Sequence, residues 1–228
     1  MSIPLYFAVD CKEIEIFHPR SLFALTGFGL YPDGTARLPE QIPQGEGMLA
    51  VIDDAILPDS VPERQALDTL ASYCTGGCFL DFMRPVSEVH AAWIVGLRQR
   101  LSPELPFWLP ERYLHFISKS LCVISCPKPC NHWERFTAEA GKRFPNGWCL
   151  EVTPWSETIA LSLPQKNGYL PHALCQFQYT DGLCRFYDTQ QTITDKLHIA
   201  EAHGCRAAVG LFRELSPLFP SVIHGGQI

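Results

Sequence analysis

Eight short apolar runs alternate with amphipathic stretches along the whole chain, and no glycine-rich phosphate loop follows any of them. Apolar strands joined by helices imply a parallel sheet covered on both faces. The sequence therefore predicts an α/β fold: a small and incomplete (β/α)8 TIM barrel forming a single domain over residues 1–228. Such a chain offers about 28 residues per βα unit, where barrels commonly use about 250 residues in all. Some helices must then be short or missing. An open doubly wound sheet is the alternative, but the phosphate-binding fingerprint of that fold is lacking.

The strands are read from runs of β-branched, aromatic and aliphatic residues at 4–10, 21–30, 48–53, 78–83, 121–125, 148–152, 158–163 and 207–212. Between them, 61–74 has a capping-box start, with Ser60 as N-cap, Pro62 in the first turn and Glu63 three residues past the cap. A second helix over 87–101 starts on Ser87 and carries Arg98 and Arg100 in its last turns, where the helix dipole favours cations. Helices over 131–144 and 189–204 follow, the latter stopped by Gly204. Two hairpins turn on Asp33-Gly34 and Asp181-Gly182. The gap between 148–152 and 158–163 is too short for a helix, which is why the barrel is expected to be incomplete.

Composition narrows the function by exclusion. With 46% hydrophobic and 18% charged residues the chain is globular, and a net charge of −6 gives no electrostatic reason to expect nucleic acid. No apolar stretch approaches the roughly 18 residues needed to span a membrane. The N-terminal segment has no basic region before its apolar residues, so it reads as a first strand and the protein is expected to be cytoplasmic. Ten cysteines in such a chain are expected to be free thiols, most of them packed as small hydrophobes within strands. Cys122, Cys126, Cys130 and His132 have ligand chemistry but match no zinc spacing, so neither a metal nor a cofactor is expected. Nothing in the sequence sets the number of subunits.

A barrel of this kind builds its site from the C-terminal ends of its strands. There the sequence delivers Asp10 and Cys11, then Asp53 and Asp54, then Asp81 and Arg84, then Glu151 with Trp155 nearby, and finally Arg213 and Glu214. Glu111 sits in the loop before the expected fifth strand, and the second hairpin adds Gln176, Gln178, Tyr179 and Asp188. Several carboxylates around one rim suit glycoside chemistry, in which paired acids flank the bond that breaks. Trp108, Trp133 and Trp155 offer faces for sugars, although core packing is the commoner use of tryptophan. Equally, Asp53, Asp54 and Asp59 suit loop capping, and Asp81 with Arg84 suits a structural ion pair.

The run GGCFLDFM, 76–83, resembles the strand-four signature of family 18 glycoside hydrolases, chitinase-like barrels with the pattern D-G-x-D-x-D-x-E. Gly77, Leu80, Asp81 and Phe82 fall where that pattern has its glycine, an apolar residue, its last aspartate and an aromatic. The tail is similar to the family's closing Y-D-D-x-x-S-I-x-x-K-x-x-x-A-x-x-x-G segment, with Tyr187, Asp188, Ile193, Lys196, Ala200 and Gly204 in step. The family's first and middle aspartates fall on Gly76 and Phe79, and its general acid falls on Met83, a thioether with no proton to donate. The family's tryptophan at the end of the last strand has no counterpart in AAVGLFREL.

What the resemblance implies is a barrel that binds a carbohydrate or other small glycoconjugate at its C-terminal rim, with the family's catalysis impaired. The ligand would be held by Asp53, Asp54, Arg84, Glu111, Trp155, Gln178, Tyr179 and Arg213. Two alternatives stay open: an active hydrolase with a rebuilt carboxylate pair, Asp81 with Glu151 or Glu214, or a non-catalytic intracellular interaction protein.

Overall fold

The computed structural model describes residues 3–14, 22–43, 48–117, 119–125, 132–154, 156–160 and 174–220. Its central feature is a closed barrel of eight parallel strands: β1 (Leu5–Val9), β2 (Phe23–Leu30), β4 (Leu49–Asp53), β5 (Cys78–Asp81), β6 (Phe107–Pro110), β7 (Leu121–Ser125), β8 (Trp148–Glu151) and β12 (Cys205–Leu211). Each strand pairs with the next, and the ring closes through β1, which lies between β12 and β2. The short β3 (Ala36–Arg37) hangs antiparallel on β2 beyond the Asp33-Gly34 turn.

Outside the ring lie α1 (Arg64–Ser72) after β4, α2 (Glu88–Arg100) after β5, a 3-10 helix (Glu111–Phe116) after β6 and α3 (Trp133–Arg143) after β7. A three-stranded antiparallel sheet then interrupts the series, built from β9 (Ser156–Ala160), β10 (Gln176–Thr180) and β11 (Leu183–Tyr187). It is followed by α4 (Gln190–Ala202), β12 and the single turn α5 (Phe212–Leu215). Among the described residues no α-helix joins β1 to β2 or β2 to β4, while the strand ring is whole. No helix among the described residues is long and apolar enough to cross a membrane.

Two expected elements change. The fifth barrel strand is Phe107–Pro110, which pairs Phe79 with Trp108 on one side and Trp108 with Leu121 on the other. The run expected as a barrel strand at 158–163 instead contributes its described part to β9, which pairs antiparallel with β11. Glu111 therefore follows the fifth strand rather than preceding it. Similarly α1 starts at Arg64 with Glu63 as its cap residue, so Ser60 does not cap it. Pro62 disfavours helical backbone at the residue before it and keeps this entry extended. At the start of α4, by contrast, Thr189 and Thr192 form a reciprocal capping box.

Strand periodicity sorts the core into two layers. Leu5, Phe7, Val9, Ala50, Ile52, Leu80, Leu109 and Leu150 face outward into the layer shared with the helices. Their neighbours Ala24, Val51, Phe79, Trp108, Cys149 and Val209 fill the barrel interior. Trp108 meets Tyr6 edge-on at 5.3 Å and Phe79 at 6.2 Å, which plugs the lower barrel. At Gly77, φ is 110°, and an added Cβ would lie 2.4 Å from the Pro106 carbonyl oxygen. That same carbonyl accepts the Cys78 N–H at 3.0 Å and joins the starts of β5 and β6.

Candidate active site

The inward alternation, carried one step past the packed interior, reaches the rim. Val51 is followed by Asp53, Phe79 by Asp81, Val123 by Ser125 and Cys149 by Glu151. In the sheet Asp53 lies beside Asp81, and Ser125 beside Glu151. A cavity of about 80 Å³ opens at this end, lined by Thr26, Phe79, Asp81, Glu151, Thr153 and Leu211 among others. Asp81 and Glu151 thus share one cavity.

Burial in that cavity pushes the Asp81 carboxyl up to about 6, and the negative charges of Glu151, Asp53 and Asp54 add to the effect. Arg112 works against them, although its guanidinium is occupied with the Phe82 carbonyl at 2.5 Å. Glu151 is exposed and accepts a hydrogen bond from the Ser125 hydroxyl at 2.5 Å. The arrangement joins a carboxyl that is half-protonated near pH 6 to a second carboxylate that accepts from a hydroxyl. That is the division of labour acid–base chemistry uses.

The other expected residues are committed elsewhere. Asp53 accepts from Arg37 at 2.5 Å and from the Ala55 N–H at 2.9 Å. Asp54 is buried and accepts the backbone N–H groups of Met83 and Arg84, each at 2.8 Å, and faces His90 Nε2 at 3.1 Å. His90 in turn meets Ser87 through Nδ1 at 2.8 Å. Arg84 does not pair with Asp81; its guanidinium donates to the carbonyls of Asp54 and Ala55 at 2.8 and 2.6 Å. The strand ends at Asp81, and the loop turns back across Asp54 before an ion pair can form. Glu111 pairs with Arg143, and Arg213 with Asp10 and Glu13. Both carboxylates raise the Arg213 pKa, Glu13 more strongly.

Glu214 and Gln178 line a second, larger cavity of about 370 Å³, together with Arg185, Tyr187 and Asp188. Glu214 is therefore not placed across from Asp81. Tyr179 lies on β10 opposite Cys184, on the other face of the small sheet from Gln178. Trp155, Cys126 and Cys130 lie outside the described residues. Trp108 and Trp133 are core residues, the latter donating its indole N–H to the Lys196 carbonyl at 2.9 Å. Ser125, Thr26 and Arg37 were missed by sequence reasoning. Ser125 was findable, since it ends β7 with the same inward parity as Glu151 on β8.

The chain matches no protein-family model and no curated protein. Its fold does match solved structures. The spore cortex-lytic enzyme SleL of Bacillus cereus superposes with a TM-score of 0.56 at 12% identity, over 91% of this chain and 70% of that one. A chitinase from Chromobacterium violaceum gives 0.55 at 10% identity, over 98% of both chains. The fold is chitinase-like. A plant class V chitinase mutant from Cycas revoluta, solved in complex with (GlcNAc)3, gives 0.50 at 11% identity over 97% of this chain and 99% of that one. In this chitinase-like barrel Met83 lies just beyond the end of β5, is 72% exposed, and is fixed through its backbone N–H by Asp54.

Proposed function

We propose that the barrel mouth binds a carbohydrate or small glycoconjugate, and that hydrolysis of the family 18 type is impaired. The observation that carries this reading is the shared cavity of Asp81 and Glu151 at the C-terminal end of a chitinase-like barrel. At about 80 Å³ it is smaller than the roughly 300 Å³ at which sites for whole ligands begin. It takes one substituent of a sugar, such as an acetamido group, with the ring resting on the rim. Asp81, Glu151 and Thr153 supply the polar contacts. The resemblance puts the family's general acid at position 83, where a methionine cannot donate a proton. Loss of such an acid lowers rates by roughly 10²- to 10⁴-fold.

A second reading has one specific support. The Asp81 pKa of about 6 keeps a large fraction of its carboxyl protonated near pH 6, as a substitute general acid with Glu151 as base would require. Fluorogenic N-acetylglucosamine oligomers separate the two. Thermal stabilisation by the oligomers without turnover, abolished in Asp81→Asn, supports binding alone. Turnover that falls above pH 6 and is lost in both Asp81→Asn and Glu151→Gln supports the rebuilt pair. Neither stabilisation nor turnover leaves both readings without support.

A further inference from the structure

The cavity of about 370 Å³ beside the rim contains a cation that no part of the mouth's chemistry uses. We propose that this cavity is a subsite for a sugar bearing a carboxylate, and that Arg185 reads the carboxylate. The proposal deepens the carbohydrate reading of the mouth and rests on it.

The register of the small sheet dictates which way Arg185 points. It lies opposite Gln178, as Tyr187 lies opposite Gln176, so these four share one face. Cys184 and Phe186, the alternate residues, are fully buried on the other face. A slip of one residue would bury the guanidinium and expose the phenyl ring, so the register is strongly held. The turn supports it: Asp181 and Gly182 have φ of 50° and 77°, the pair of positive values that a two-residue hairpin favours.

Arg185 also differs from the arginines around the mouth. Arg37, Arg84, Arg112 and Arg213 are each engaged with a carboxylate or a carbonyl. Among the described residues Arg185 has no hydrogen-bond or ion-pair partner. The two nearby acids do not cancel it equally. Asp188 is neutralised by Lys196 at 2.6 Å in a buried pair, while Glu214 is exposed and accepts from sugar hydroxyls or an amide N–H. A planar guanidinium matches a carboxylate through two parallel hydrogen bonds, so an acidic sugar gains what a neutral one does not.

The two cavities adjoin along the chain. Thr153 lines the mouth and Pro154 the second cavity, and Leu211 and Glu214 repeat that division on the neighbouring strand exit. The larger volume suits one sugar residue. A single oligosaccharide therefore reaches both.

The test is calorimetric binding of three tetramers to the full chain: the N-acetylglucosamine tetramer, its C6-oxidised uronate form and its 3-O-carboxymethyl form. At least one acidic tetramer should bind about tenfold more tightly than the neutral one at low salt. Arg185→Gln should remove that preference, so that the acidic and neutral tetramers bind the variant alike. Arg185 is exposed, so the variant should fold, and an unchanged melting temperature checks this. Equal binding of all three tetramers, or a preference that survives Arg185→Gln, overturns the subsite while leaving the mouth reading intact. Arg185-dependent binding that Asp81→Asn does not weaken supports the subsite and overturns the mouth reading. No binding of any tetramer overturns both.

Discussion

The carboxylate of Asp54 accepts the backbone N–H of Met83 at 2.8 Å, linking the exit of β4 to the loop after β5. Asp54 is 2% exposed and also serves Arg84 and His90, so it acts as the structural anchor of this loop. Asp54→Ala leaves two backbone donors without their acceptor and His90 without its carboxylate. Each charged hydrogen bond of this kind is worth roughly 1.5–3 kcal/mol, so the two backbone bonds alone should bring the loss to at least about 3 kcal/mol. Urea unfolding of the variant measures it. A loss below about 1 kcal/mol would show that the loop is held by other contacts.

Asp81 should make stability depend on pH in an unusual direction for an aspartate. Its folded pKa of about 6 lies above the ordinary value of 3.8, so the folded state holds a proton that the unfolded chain releases. The contribution is fully present below about pH 4 and is lost as pH rises through 6. With allowance for solvent at the mouth, the loss is roughly 2 kcal/mol. Asp81→Asn should therefore be more stable than the parent at pH 7.5 and equal to it near pH 4. Parallel melting curves at the two pH values decide it; equal stability at both would place Asp81 in ordinary solvent.

The barrel was legible because its strands are apolar on both faces and its helices amphipathic, signals that depend only on local period. Phe107–Pro110 escaped because it is four residues long and bracketed by Pro106 and Pro110, a pattern that reads as loop. Its identity as a strand comes from pairing with β5 and β7, partners far away in sequence. Ser156–Ala160 misled for the opposite reason: an apolar run has the same local period in a barrel or in a side sheet. The rim carboxylates Asp81 and Glu151 follow directly from alternation. The fate of Arg84 does not, since only the fold brings Asp54 within its reach.

Placing a carboxylate at position 83 should not confer hydrolysis of the family 18 type. Met83 is 72% exposed and is not among the residues lining the mouth, because its backbone is bound to Asp54 beyond the end of the strand. Met83→Glu should change stability by no more than about 0.5 kcal/mol, as exposed substitutions generally do. Hydrolysis of N-acetylglucosamine oligomers should rise by less than tenfold, against the roughly 10²-fold or more that a working general acid supplies. A larger gain would mean that the loop swings the side chain over the cavity, and that position 83 alone separates this chain from an active enzyme.

The tail residues that resemble the family motif have a structural role that can be isolated. Asp188 and Lys196 form a buried pair at 2.6 Å, with side chains 1% and 4% exposed, and the Thr192 hydroxyl also donates to Asp188 at 3.1 Å. Removing one partner strands a charge away from water. Lys196→Met should therefore cost about 3–5 kcal/mol. Asp188→Leu combined with Lys196→Met removes both charges together and should cost less than Lys196→Met alone, because an apolar pair of similar volume escapes the desolvation penalty. The Trp133 indole bond survives in either variant, since its acceptor is the backbone carbonyl of residue 196. Unfolding both variants with the parent and Asp188→Leu completes a double-mutant cycle, whose interaction energy should be large and specific to the pair. A double variant as damaged as the sum of the two singles would mean that each residue acts through separate contacts, and that the pair does not act as a unit in the packing of α4.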